Sequence, residues 1–430
     1  IYIKLEVLYL TFFKLIKTYL KKIYFKMKKF LRWTLVSIIT GLTVGGFSTL
    51  FAFMMNVVTD FRSNNDYIIY FLPFAGLITV FLYNAFKFKD DKGTNLVLST
   101  IHAQSEIPFK MAPLIFITTI LTHLFGGSAG REGAALQLGG SIGNQLGRWF
   151  KFDDADKRVV VLCGMSAAFS AVFGTPMAAA VFSMEVVSIG IMYYAALVPC
   201  VFSSLIASYF ATNFGVRGED FTFIKFPSLT FLNTFETVCL SILCAGISIA
   251  FCIMLHKTSD LLRKYLKNPY IRIFLAGLVV VGLTLLFNTR DYNGAGIPVI
   301  TKALKGEAVP YAFILKMIFT AITIGAGFRG GEIVPTFFIG ATFGCLFGNI
   351  VGFSPSVCAA VGLIALFCGV TNCPITSILI SFELFGAGGI PFFMIAVAIS
   401  YFMSGYYGLY HDQTIVYSKY KTKYVNRHTK

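Results

Sequence analysis

Two glutamates stand in stretches of this chain that are otherwise apolar enough for lipid. Glu132 lies in GGSAGREGAALQLGGSIGNQLG (126–147) and Glu332 in FRGGEIVP (328–335), each close to an arginine and among glycines. Ionisable side chains at membrane depth are costly, face cavities or bundle interiors, and mark ion and proton pathways. Each carboxylate is therefore either a structural partner of Arg131 or Arg329 or a titrating group. Gly130, Gly133, Gly330 and Gly331 let backbone approach an ion closely. A helix beginning at such a point presents unpaired N–H groups and roughly half a positive charge, so several converging starts make a small-anion site without a lysine. A cation site would need carbonyls or a carboxylate cage, which these isolated acids do not form. Gly140, Gly143, Gly147, Gly340, Gly344 and Gly348 fit the small-residue pattern of close helix packing. Glu185 and Glu383, each at the far end of its helix, read as structural or interfacial.

Other chemistries are excluded. Gly126-Gly127-Ser128-Ala129-Gly130 satisfies the G-x-S-x-G pattern of serine hydrolases and His123 is close by, but that elbow needs a preceding strand, and here a membrane span precedes it. The nine cysteines sit mostly within apolar runs with no CxxC, and the five histidines form no HExxH, so neither metal nor cofactor is expected.

The elements that must position these residues are membrane spans. Of 430 residues, 56% are hydrophobic and 13% charged, and the mean hydropathy is +0.74. That composition belongs to polytopic membrane proteins. The net charge of +16 gathers at the two ends and in short loops, as topology signals and contacts to anionic lipid rather than to nucleic acid. Residues 34–59 and 67–86 form a hairpin of spans. Lys28, Lys29 and Arg32 before it and Lys87, Lys89 and Lys92 after it put both its ends in the cytoplasm. Longer spans near 189–212, 231–257 and 271–287 frame segments broken at 93–96, 126–133, 174–176, 294–298, 325–335 and 371–374. Such backbone survives at membrane depth only inside protein or beside an aqueous cavity. Residues 1–26 alternate lysine with apolar residues up to Met27; they are either an amphipathic surface helix or upstream translation with Met27 as the native start.

The interruptions recur about 200 residues apart. Arg131-Glu132-Gly133 matches Arg329-Gly330-Gly331-Glu332; Gly174-Thr175-Pro176 with Glu185 matches Asn372-Cys373-Pro374 with Glu383; Gly93-Thr94-Asn95-Leu96 matches Gly294-Ala295-Gly296-Ile297. Interrupted segments at equivalent positions of two halves point to a transporter's binding site. The expected organisation is a basic segment at 1–29, one all-α polytopic membrane domain at 30–411 and a basic cytoplasmic tail at 412–430. Within the domain, repeat 1 covers about 30–212 and repeat 2 about 231–403.

In order along 30–411, these motifs resemble the CLC family of chloride channels and anion/proton antiporters. Gly130-Arg131-Glu132-Gly133 looks like its G-K/R-E-G-P, with Ala134 for proline. Gly330-Gly331-Glu332-Ile333-Val334-Pro335 looks like its G-x-F-x-P, Thr175-Pro176 to Glu185 like its P-L-A-G…E helix, and Gly408-Leu409-Tyr410 like the element carrying the anion-binding tyrosine. The departures are specific. The family's G-S-G-I-P is here Gly93-Thr94-Asn95-Leu96-Val97, the inner glutamate of most proton-coupled members is Val186, and the phenylalanine of G-x-F-x-P is Ile333 after Glu332. These changes and the short chain look most like the fluoride/proton antiporter branch, although a threonine often found there is Val334 here. The resemblance implies a CLC-type fold of two inverted repeats with a final pore helix at about 404–411, in a homodimer of the cell membrane, with both termini cytoplasmic. It implies exchange of fluoride, or chloride, for protons. Glu132 and Glu332 would gate and transfer protons, and Thr94, Asn95, Gly130, Arg131, Gly133, Ile333, Val334 and Tyr410 would bind the anion. A passive chloride channel of the same family is the alternative.

Overall fold

Several helices in this chain stop on glycine or asparagine, and several start on proline. Residues 2–88, 93–103 and 107–430 are described in the computed structural model; Lys89 and Lys92, two of the cations used to orient the first hairpin, lie outside the described residues. The first half runs α1 (Tyr2–Asn64), α2 (Leu72–Ala85), α3 (Thr94–Ala103), α4 (Met111–Leu124), α5 (Glu132–Trp149), α6 (Asp154–Phe173), α7 (Pro176–Glu185), β1 (Ser188–Ile189) and α8 (Leu197–Asn213). The second runs α9 (Phe231–Tyr265), α10 (Pro269–Leu286), α11 (Ile297–Leu304), α12 (Ala312–Ala326), α13 (Ile333–Val351), α14 (Pro355–Thr371), α15 (Pro374–Phe385) and α16 (Ile390–Met403), followed by β2 (Thr414–Tyr417) and β3 (Tyr424–His428).

In both halves the sixth helix stops on a left-handed residue, Gly174 (φ 79°) or Asn372 (φ 59°), and the seventh restarts on Pro176 or Pro374. Glycine adopts that conformation freely and asparagine tolerates it. Proline at the first helical position forfeits no hydrogen bond. Equivalent contacts then recur: α5 packs on α6 as α13 does on α14, α1 on α8 as α9 on α16, and α4 on α5 as α12 on α13. The halves meet through α2 with α10 and α7 with α15. The expected boundary at 213–230 is the irregular stretch between α8 and α9. Six of the described helical segments are long and apolar enough to cross a membrane.

Lipid tails offer no hydrophobic drive between helices, so close van der Waals approach must hold them together. The glycines supply it. A Cβ at Gly139 or Gly143 of α5 would strike the Gly164 or Val160 carbonyl of α6, and one at Gly340 or Gly344 of α13 would strike that of Gly362 or Cys358 in α14. Gly140 admits Val97 of α3, Gly147 sits on Lys157 and Gly348 on Pro355. These contacts fit the packing role read from the spacing.

Glu185 and Glu383 bind the two repeats reciprocally. The Glu383 carboxylate accepts from the amides of Met177 (2.8 Å) and Ala178 (2.9 Å) at the start of α7. Glu185 accepts from those of Ile375 (3.0 Å) and Thr376 (2.8 Å) at the start of α15, and from the Thr376 hydroxyl. Each carboxylate satisfies amides that a helix start leaves unpaired.

Four expectations are changed by the structure. The segment 1–29 is helical but runs without a break into the first span as α1. The span expected from 189 begins later, because Ser188–Ile189 pairs as a strand with β2 and a short 3₁₀ turn at Tyr194–Ala196 precedes α8. The final pore helix expected at 404–411 is not helical. Gly405 has φ 60°, and Leu409 N–H donates to Val370 O (2.9 Å) in place of a bond within a turn. The tail at 412–430 is a β-hairpin, β2 against β3, extending a three-stranded sheet.

Replacing Glu185 with leucine strands two amides and a hydroxyl of α15 and is expected to destabilise the protein by about 2–3 kcal/mol. Thermal unfolding in detergent reads this as a lower midpoint, and an unchanged midpoint would show that the cap carries no stability.

Candidate functional site

The lead-ins to α5 and α13 cross at their glycines. Gly130 N–H donates to Gly331 O (2.6 Å) and Gly331 N–H donates to Gly130 O (2.7 Å), a two-residue antiparallel bridge. Side chains are excluded there: a Cβ at Gly331 would lie 2.5 Å from Gly133 N, and one at Gly133 would lie 2.9 Å from Gly331 Cα. His123 Nε2 also lies 3.2 Å from Gly130 O, so this histidine braces the bridge and does not serve Ser128. The Ser128 hydroxyl is buried 3.0 Å from that of Thr320.

The bridge brings Glu132, the first residue of α5, and Glu332, the N-cap of α13, close to one another. Neither Arg131 nor Glu332 forms a side-chain cap on its helix. The first amides of α5 and α13 are thus without the carboxylate that seals α7 and α15. Glu132 is 1% exposed; its Oε2 accepts from Arg131 N–H (3.1 Å), and its Oε1 lies 3.7 Å from Arg131 Nε. The Arg131 guanidinium turns away to Asn56 Oδ1 (2.9 Å).

Two cavities flank this centre. One of about 790 Å³ is lined by Thr94, Asn95, Gln137, Gly330, Glu332 and Tyr410, together with His256, Asp260, Arg263, Arg272, Arg329, His411 and Asp412. The other, of about 660 Å³, is lined by Asn56, Arg62, His123, Arg131, Glu219, Arg290, the start of α11 and Val334. In the larger cavity Gln137 Nε2 lies 3.4 Å from Thr94 Oγ1. Glu332 Oε2, Gln137 Oε1 and Tyr410 Oη are buried without a hydrogen-bond partner among the described residues. Such groups cost about 1–3 kcal/mol each when left unsatisfied, and native proteins meet them with ligand, ion or water. Hydroxyls of Thr94 and Tyr410 and the Gln137 amide supply donors. Glu332 supplies an acceptor when ionised and a donor when protonated.

The expected residues are thus divided. Thr94, Asn95, Glu332 and Tyr410 share the larger cavity, with the Asn95 side-chain oxygen already accepting from Asp412 N–H (3.1 Å). Arg131 and Val334 belong to the smaller one. Glu132, Gly130, Gly133 and Ile333 are buried at the crossing, where the glycines and Ile333 offer backbone. Gln137 was not singled out from the sequence; its signal is a lone amide in an otherwise small and apolar stretch, five residues after Glu132. Lys316 was also missed. It is fully buried in α12 and donates to Tyr292 O (3.1 Å) and Gly294 O (2.7 Å), pinning the turn before α11.

With this geometry in place, comparison with known proteins is informative. Residues 75–405 match the family described as voltage gated chloride channel. The chain is 33% identical over 395 residues to a chloride/fluoride channel protein of Pseudomonas syringae pv. tomato, covering 90% of this chain and 87% of that one. It is 27% identical over 300 residues to the H(+)/Cl(-) exchange transporter ClcA of Vibrio cholerae, 64% of each chain. Among solved structures, a CLC-type fluoride/proton antiporter superposes with a TM-score of 0.86 at 30% identity, covering 89% of this chain and 98% of that one. A slow cyanobacterial Cl-/H+ antiporter shares the fold with a TM-score of 0.75 at 20% identity, covering 87% and 94%.

Gly133→Ala would place a methyl group 3.3 Å from Thr94 Oγ1 and 3.4 Å from Glu332 Oε2. Overpacking of this kind costs about 1–3 kcal/mol, so anion affinity should fall roughly ten- to hundredfold. Titration calorimetry with fluoride and with chloride measures it; wild-type affinity would remove Gly133 from the site.

Proposed function

The chain belongs to the voltage gated chloride channel family, and from that premise we propose that it exports fluoride from the cytoplasm in exchange for protons. The family is one of membrane ion transporters, so the chain is a multi-pass transporter and not an enzyme. The observation that carries the reading is the cluster of unpartnered buried polar atoms, Glu332 Oε2, Gln137 Oε1 and Tyr410 Oη, around a cavity that reaches the uncapped start of α13 and Gln137 of α5. Such a place suits an anion and a proton together.

Glu132 and the anion compete for the first amides of α5 and α13. Ionised, Glu132 holds them; protonated, it swings clear and admits the anion. The smaller cavity opens outward, and the larger one, which leads into His411 and the tail, opens to the cytoplasm, where both termini lie. Glu332 receives the proton on the inner side. The position of the family's inner glutamate is Val186, which is fully buried, and its carbonyl accepts from Gln413 Nε2 (2.9 Å). That leaves the larger cavity as the inner route. The transporter acts as a homodimer with one pathway in each subunit.

Fluoride is small and strongly hydrated, so close donors must replace its water. Thr94, Tyr410, the Asn95 amide and helix N–H groups are of that kind. The description of the Pseudomonas relative names both halides, and Val334 contributes no hydroxyl, so chloride/proton exchange is the second reading.

In proteoliposomes, fluoride efflux is expected to exceed chloride efflux clearly; equal rates would overturn the selectivity. A proton gradient imposed without an anion gradient should drive fluoride uphill, and failure would indicate a passive channel. Glu132→Gln should abolish the uphill movement while anion still passes, whereas retained coupling would remove Glu132 from its role.

A further inference from the structure

Tyr410 sits on backbone with no helix to hold it, and its carbonyl is held instead from the far end of the chain. The Thr429 hydroxyl donates to Tyr410 O (2.6 Å), and so does Gln413 N–H (3.1 Å). Thr429 N–H in turn donates to Gln413 O (3.1 Å), closing a ring of three residues. Around that ring, Gln413 Nε2 donates to Val186 O and Thr371 O (2.9 Å each). Asn372 Nδ2 donates to Tyr407 O (3.0 Å), and Lys430 N–H donates to Tyr406 O (2.8 Å). The turn of the hairpin is anchored separately. Lys419 Nζ reaches the Asn372 side chain, Tyr401 O (3.0 Å) and Ser404 Oγ (3.2 Å), at the carboxyl ends of α14 and α16, where helix dipoles favour a cation.

We infer that the C-terminal β-hairpin is the positioning device for Tyr410, with Thr429 and Gln413 as the positioning residues that set the tyrosine's reach into the anion cavity. The hairpin ties to the pore through hydrogen bonds on both sides of Tyr410, and Thr429 and Gln413 are themselves buried. A phenol that recognises a small ion must be held within a fraction of an ångström, and a site left to a loose support loses discrimination before it loses the fold. The inference rests on the reading of Tyr410 as an anion ligand.

The test uses the full chain in proteoliposomes, with the ratio of fluoride to chloride efflux as the readout. Thr429→Val keeps the shape and removes the hydroxyl; it is expected to lower the ratio about fivefold, the consequence of losing one buried hydrogen bond. Thr429→Ser should restore the ratio. A purely structural role would reduce the amount of folded transporter and leave the ratio alone. Gln413→Met keeps the backbone bonds of the ring but removes its side-chain anchor to Val186 O and Thr371 O, and gives the same readout if the valine variant does not fold. A wild-type ratio in either folded variant overturns the inference. Tyr410→Phe separates the two levels of argument. If it shifts the ratio while Thr429→Val does not, the positioning role fails alone; if it too leaves the ratio unchanged, the reading of Tyr410 fails with it.

Discussion

Two hydrogen bonds between Gly130 and Gly331 bring the first turns of two helices face to face, and this proximity carries an electrostatic cost. Each helix start bears roughly half a positive charge, and the interior screens it weakly. Two carboxylates, Glu132 and Glu332, stand at those starts. With both ionised, the local sum is about one negative charge, which would repel an incoming halide. An anion therefore enters most readily when one carboxylate is protonated or has moved away. In the proposed exchange, charge balance at the crossing couples anion to proton without any moving part larger than a side chain.

The same chain shows what a helix start looks like when no ligand is wanted. At α7 and α15 a glutamate from the opposite repeat accepts two amides, and the end is closed. At α5 and α13 the N-cap side chains of Arg131 and Glu332 make no cap, and Glu132 accepts from Arg131 N–H. In the proposed exchange, that difference leaves the Glu132 carboxylate displaceable where Glu185 and Glu383 are fixed. Both arrangements obey the approximate two-fold relation of the halves, so one sequence device, repeated, yields a clamp at one level and the proposed binding site at another.

The breaks were legible because glycine and proline act locally. Gly174 and Pro176, or Asn372 and Pro374, dictate helix ends whatever surrounds them, and their recurrence disclosed the two repeats. Glu132 and Glu332 were legible because charge in an apolar stretch needs a cause. Arg131 was less so: its neighbour in sequence is Glu132, yet its guanidinium is drawn to Asn56, which is brought there by α1. Gln137 acquires meaning only when α5 is laid beside Thr94. A helix over 404–411 was implied only by the resemblance of Gly408-Leu409-Tyr410 to the family's tyrosine-bearing element. The true partners of this stretch, Val370 and the Tyr410–Thr429 contact, are supplied by segments distant in sequence.

The hairpin made from 412–430 links two departures that looked unrelated in the sequence. Val186 replaces an acid that would need access to water, and strand pairing between β1 and β2 just beyond it, with Gln413 on its carbonyl, leaves that residue buried. An ionised acid at 186 would be enclosed at a cost of several kcal/mol, so valine and the hairpin are mutually consistent. The strand that covers this position continues into the segment that holds Tyr410. The burial of residue 186 and the hydrogen bonds to the Tyr410 carbonyl thus come from one element. In the proposed exchange, proton and anion share the cavity lined by Glu332, where the charge balance at the glycine crossing makes each dependent on the other.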